Sequence, residues 1–148
     1  MDLAGFDRRA QADEGVWVVL KDDITGEELG EDGDRPRVKV GAPIGRKVND
    51  KRKEIAADIL DFDTVKKAVM SQDMALLQQH YAAQAYPVVI ELENVSVRGE
   101  KLTASYNDIK RLCDLTVPKY KDGELANHPF ALQITNAAVE FGENLGKK

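Results

Sequence analysis

Apolar and polar positions alternate near the start of the chain and recur at helical spacing later. Residues 16–21, Val-Trp-Val-Val-Leu-Lys, are a short β-branched and aromatic run, which predicts a strand. Asp22-Asp23-Ile24-Thr25-Gly26 then supplies turn chemistry, with carboxylates that bond their own backbone and a glycine free to take positive φ. Glu27-Glu28-Leu29 predicts a short returning strand, and Glu31-Asp32-Gly33-Asp34 another turn. Between Arg35 and Val40 charged and apolar residues alternate around Pro36, with Val38 and Val40 on one face. A proline at the start of such a run predicts an edge strand. Residues 1–13 read as a loose or weakly helical arm.

After residue 45 the period changes. Val48, Ile55, Ile59 and Phe62 share one helical face. Val65, Val69, Leu76, Leu77, Tyr81, Ala85, Val89 and Leu92 continue in helical register, with Pro87 inside the series. The two readings at Pro87 are a kinked helix or a strand over Val88-Val89-Ile90, and the unbroken register to Leu92 favours the kink. Ser105 with Asp108 resembles a capping box for a helix to about Leu115. Pro118 and Asp122-Gly123 mark a loop. His128-Pro129 opens a last helix, with Phe130, Ile134, Ala137, Phe141 and Leu145 on one face. Phe130 and Ile134 are expected in the core, while Phe141 and Leu145 stay open between core and partner surface. The predicted class is α+β: residues 1–45 are an arm and a small antiparallel β-hairpin or sheet, and residues 46–148 a mostly α-helical bundle, together one compact domain.

Composition adds bounds. The 148 residues, 43% hydrophobic and 32% charged, suffice for one core without staples. A single cysteine, Cys113, excludes an internal disulfide framework and a thiolate zinc cluster. No apolar run is long enough to span a membrane, and acids stand where a signal peptide needs an apolar stretch. The expectation is a cytoplasmic protein with no membrane partner. The net charge of −5 is uneven: residues 1–34 hold 11 acidic and 3 basic side chains, and residues 35–67 hold 5 and 10. The basic stretch Arg46, Lys47, Lys51, Arg52, Lys53 is broken by Asp50 and lacks interleaved aromatics. It therefore predicts a solvated helix face, or a surface that the acidic segment folds against, and no nucleic-acid partner.

Candidate chemistry is sparse. Gly41-Ala-Pro-Ile-Gly45-Arg-Lys47 lacks the spacing and the Ser or Thr of a phosphate loop. Asp32-Gly33-Asp34 begins like a calcium loop, but Arg35 and Pro36 follow where ligands are needed. Asp58, Asp61 and Asp63 cluster near a helix end, where Asp63 is expected to cap the next helix and a metal is the alternative. Cys113 reads as a small buried hydrophobe, His80 as a helix-surface residue, and His128 as capping or exposed. Trp17, between valines, reads as a core residue, with an exposed partner contact as the alternative. No catalytic residue, metal or cofactor is implied.

One ordered set of segments carries more information. Phe6-Asp7 and Glu14-Gly15-Val-Trp17-Val-Val-Leu20 are followed by Asp23-Ile-Thr25-Gly26-Glu27. Mid-chain come Ile90-Glu-Leu-Glu93-Asn94-Val95, Gly99-Glu-Lys-Leu102 and Ser105-Tyr-Asn107, then a short helix and Pro118. This order resembles the small tail assembly chaperones of long-tailed, siphovirus-type bacteriophages and prophages, over about residues 6–145. Glu91 and Leu92 stand where that pattern has Gly-Trp, and Ala104 where an aromatic is common.

The resemblance implies a non-enzymatic protein in the host bacterial cytoplasm. It would bind the tape-measure protein and keep it soluble until the tail tube protein assembles around it. It also implies a longer form of the chain made by ribosomal frameshifting, for which Lys147-Lys148 would supply slippery codons. The motif positions Glu14, Gly15, Trp17, Thr25, Gly26, Glu93, Asn94, Val95, Ser105 and Asn107 receive no separate role from it. A small structural component of the virion, in the tail or the head-tail connector, is the competing reading. An enzyme or metal protein using Asp58, Asp61 and Asp63 is the third.

Overall fold

The computed structural model describes residues 1–147; Lys148, half of the expected slip-site pair, lies outside the described residues. A 3-10 turn, Ala4–Phe6, leads into α1, Arg8–Glu14, whose N-cap Asp7 accepts a hydrogen bond from the Ala10 N–H at 3.0 Å. Gly15, at φ 78°, ends it, and the chain enters β1, Val16–Val19. A Cβ at Gly15 would stand 2.6 Å from Ile90 Cδ1 and 2.9 Å from the Val40 carbonyl oxygen, so only glycine fits there. The returning strand expected at Glu27-Glu28-Leu29 is reduced to one bridge between Lys21 and Glu28. The Arg35 guanidinium holds that loop by donating to the carbonyls of Glu28, Leu29 and Gly30.

The sheet corrects two expectations. Strand β2, Arg37–Val40, is not an edge but the centre of an antiparallel sheet of order β1-β2-β3. Pro36 is tolerated because it precedes the strand and uses only its carbonyl, which accepts from the Leu20 N–H at 2.9 Å. Strand β3, Val89–Glu93, lies where the helical register favoured a kinked helix. The helix instead ends in a 3-10 turn, Tyr86–Val88, containing Pro87, and the chain pairs Arg37 with Glu93 and Lys39 with Glu91. Pairing on both sides leaves Val38 and Val40 with no exposure. Burying each stabilises by about 1.5–3 kcal/mol.

Between β2 and β3 run α2, Arg46–Glu54, α3, Phe62–Ser71, and α4, Met74–Ala85. The series from Val48 to Phe62 is not one helical face: the helix stops at Ile55 and Phe62 is 80% exposed. The following series is also interrupted, by Gln72 in the left-handed region at φ 56°. The acidic arm does fold against the basic helix. Arg46 meets the Asp7 carboxylate at 3.0 Å, and the Asp13 carboxylate accepts from the Lys47 N–H at the start of α2.

The C-terminal half adds two small hairpins and two helices. β4, Ser96–Val97, and β5, Glu100–Lys101, turn through Arg98-Gly99, both at positive φ. β6, Tyr120–Lys121, and β7, Glu124–Leu125, do the same through Asp122-Gly123, so the loop expected there is a hairpin. α5, Tyr106–Cys113, is capped as expected by Ser105, which accepts from the Asp108 N–H at 3.2 Å. The Asp108 carboxylate reaches back to Thr103 rather than to Ser105. α6, Phe130–Glu143, packs on β2 and α4, and the buried Thr116 hydroxyl caps its Phe130 N–H at 2.8 Å. Phe130 and Ile134 are core; Phe141 and Leu145 are half-buried at the rim. The class is α+β, as the period change predicts. Among the described residues no helix is long and apolar enough to cross a membrane.

Ile134, 1% exposed between α6 and the sheet, is expected to cost about 2–5 kcal/mol on truncation to Ala. Phe62→Ser is expected to change stability by less than about 0.5 kcal/mol. Urea unfolding midpoints of the two variants test the contrast, and equal losses would contradict this placement of the core.

Candidate partner interface

The sheet has a core face and an outward face, set by the two-residue period of its strands. Val18, Leu20, Val38, Val40 and Leu92 turn inward against the helices. Trp17, Arg37, Lys39 and Glu93 turn outward. The Arg37 guanidinium lies 4.5 Å from the centre of the Trp17 ring and donates to the Glu93 carboxylate at 2.6 Å. Lys39 approaches the same ring at 6.0 Å. Trp17 is therefore not the core residue that its flanking valines suggest; it is half-buried beneath a cation. An exposed ion pair of this kind contributes about 0–1 kcal/mol, and the cation–π contact a similar amount.

Two motif segments that lie far apart in sequence thus meet on one surface, Trp17 from β1 and Glu93 from β3, with Arg37 of β2 between them. Arg37 carried no signal in the motif pattern. Its alternation with Val38 and Val40 was the available sign that it faces outward.

Of the other motif positions, Gly15, Thr25, Gly26, Asn94 and Ser105 shape or hold backbone. Glu14 ends α1 and is exposed, and Gly15 makes the close approach to Ile90. Thr25 and Gly26 form the turn after β1, where the Asp22 carboxylate accepts from the Thr25 N–H at 2.9 Å. The Asp22 carbonyl accepts from the Gly26 N–H at 3.0 Å. Asn94 takes φ 58° and its side chain donates to the Arg35 carbonyl at 3.2 Å. Val95 is buried, Ser105 caps α5, and Asn107 is exposed on that helix.

The three aspartates do not converge. Asp61, not Asp63, caps α3 by accepting from the Thr64 N–H at 2.7 Å, because the helix begins at Phe62, two residues before the start that an Asp63 cap requires. Asp58 accepts from the Tyr106 hydroxyl at 2.8 Å, and burial, then this bond, raises that phenol's pKa. Among the described residues no group of three or more His, Cys, Asp or Glu side chains is placed to hold a metal ion.

His80 is a further correction, being 5% exposed rather than on the helix surface. Its Nδ1 accepts from the Leu60 N–H at 2.9 Å, which pins the segment between α2 and α3 onto α4. Burial lowers its pKa from the ordinary 6.5. Cys113 is buried, and burial with the nearby Asp114 carboxylate pushes its thiol up to about 12. It is a packing residue, not a nucleophile.

Comparison with protein-family models, with curated proteins and with solved structures finds no match.

Trp17→Ala is expected to lower the unfolding free energy by about 1–2 kcal/mol, well short of a core truncation. A loss of about 3–5 kcal/mol in urea titration would return Trp17 to the core. His80 gives a pH signature. Because its folded pKa is lowered, the unfolded chain binds the proton first, so stability is whole above about pH 6.5 and falls as pH drops below it. His80→Asn, whose Oδ1 stands in for Nδ1 as the acceptor for Leu60, is expected to flatten the fall in urea midpoint between about pH 7 and 5. An unaltered slope would assign that fall to other groups.

Proposed function

We propose that this chain is a non-enzymatic tail assembly chaperone of a long-tailed bacteriophage or prophage, acting in the host bacterial cytoplasm. The reading is carried by the ordered resemblance from Glu14-Gly15 and Trp17, through Thr25-Gly26-Glu27 and Glu93-Asn94-Val95, to Ser105 and Asn107. It is supported by the meeting of two of those segments on one sheet face through the Trp17–Arg37–Glu93 contacts. The exposure of Phe62, 80%, and Met70, 78%, on α3 is a second support.

The physics of the role is coverage. A long amphipathic tape-measure helix exposes a continuous apolar stripe with no core to receive it, and such a stripe aggregates. α3 offers apolar side chains on its outer surface: Val65 and Val69 are half-buried at its inner edge, Phe62 is exposed beside them, and Met70 is exposed one turn past the intervening Lys66. An apolar helix face laid against the stripe removes both from water. Coverage of this sort is reversible, so tail tube subunits that bury more area displace it. The net charge of −5 favours dispersal of the complex. A longer, frameshifted form sharing this N-terminus belongs to the same reading.

The test is co-expression with the tape-measure protein that this reading expects to be encoded beside the gene. The chain is expected to move the tape-measure protein from the pellet to the supernatant and to co-purify with it. The folded double variant Phe62→Ser, Met70→Ser is expected to lose that effect. Purified particles are expected to lack the chain by mass spectrometry. Stoichiometric copies in the particle, or a tape-measure protein equally soluble without the chain, would overturn the proposal.

A further inference from the structure

We propose that the open edge of β1 accepts one added strand, an extended and alternately apolar segment of another protein that carries a basic residue. This site stands apart from the chaperone reading and does not depend on it.

The sheet order leaves β1 and β3 as edges. In an antiparallel pair, alternate residues turn their N–H and C=O toward the partner strand and the rest turn theirs away. The Leu20 N–H donates to the Pro36 carbonyl, which sets the phase: Val16, Val18 and Leu20 face β2. Trp17, Val19 and Lys21 therefore present their peptide groups to the other side.

At Lys21 that side is already filled, and the way it is filled is informative. The Lys21 N–H donates to Gln133 Oε1 at 2.9 Å, and Gln133 Nε2 donates to the Lys21 carbonyl at 2.9 Å. The carboxamide of Gln133 binds there as one peptide unit of a fourth strand would. Trp17 and Val19 offer the same donor–acceptor pairs with no partner among the described residues. At the opposite edge the Lys51 ammonium of α2 holds the Val89 carbonyl at 2.6 Å, which occupies the start of β3.

A groove follows the open edge. Two adjoining cavities of about 350 and 330 Å³ lie between β1 and α6 and share Val18, Ala137 and Glu140. Val16 and Phe141 wall the second. The unpaired stretch, four residues long, measures about 13 Å, the reach of one short strand.

These features specify the occupant. The edge peptide groups demand an extended backbone, since a helix satisfies its own. The apolar walls at Val16, Val18, Ala137 and Phe141 take side chains at alternate positions. Glu140, common to both cavities, takes a lysine or arginine at the end of the groove away from Lys21, which lines the first cavity only. A second copy of β1 fits less well, because two-fold pairing brings two Glu140 carboxylates into one seam.

The probe is a fluorescein-labelled octapeptide that alternates valine with lysine and threonine, followed by fluorescence anisotropy on the full chain. Saturable binding is expected below about 1 mM, reduced about tenfold or more when alternate peptide nitrogens are N-methylated. Val19→Pro removes only an outward-facing donor and is tolerated on an edge. It is expected to weaken binding by about tenfold or more while circular dichroism stays unchanged. Should that variant misfold, the N-methylated peptide decides on the unaltered protein. Glu140→Lys is expected to reverse the preference between the lysine peptide and its glutamate analogue. No binding at 1 mM, or binding indifferent to N-methylation, overturns the proposal. A dimer in sedimentation that Val19→Pro dissociates also overturns it, by placing a second copy on the edge.

Discussion

Pairing of β2 with β3 is the constraint on which the other contacts depend. It joins residues 37–40 to residues 89–93 and closes a loop that contains α2, α3 and α4. Closing a loop of about fifty residues carries an entropic cost that grows only slowly with length. Once closed, the pair buries Val38, Val40 and Val89 completely and gives α6 a surface to pack on. The 3-10 turn at Tyr86–Val88 then sits against α2, where Lys51 holds the Val89 carbonyl and Glu54 accepts from the Tyr86 hydroxyl. Without β3 the central strand would keep an unpaired side, and the helices between would lose their common anchor.

A sheet covered on one face only has consequences for its surface. The inward residues are apolar and fixed; the outward ones are long, charged and spread around Trp17, the chain's single tryptophan. Because β2 is the centre, β1 is left at the margin with peptide groups exposed, and α6 beneath it forms a trough rather than a lid. The surface therefore offers three different kinds of contact: an aromatic–cation face, an open strand edge, and the exposed apolar side of α3. Each buries a different chemistry and suits a different partner geometry.

Much of this was legible in the residues. The β-branched run at 16–19, the Ser105 cap and the apolar face from Phe130 to Ile134 are local signals, and the structure follows them. What failed was non-local. The spacing from Tyr81 to Leu92 is compatible with a helix, but β-branched Val88, Val89 and Ile90 after Pro87 gain more from pairing with β2 than from continuing it. Whether residues 37–40 are edge or centre depends on that same distant strand, so no local pattern decides it. Trp17 misled because both faces of β1 carry apolar side chains, Val19 sharing its outward face. His80 misled because its partner is the Leu60 backbone, which has no residue signature.

The most direct measurement is amide hydrogen exchange by NMR on the isolated protein. The amides of Arg37 and Lys39, which point to β3, should be as protected as those of Val38 and Val40, which point to β1. Within β1, Val18 should be protected while Trp17 and Val19 exchange quickly. Unprotected Arg37 and Lys39 would contradict the central placement of β2, and protected Trp17 and Val19 would contradict the open edge.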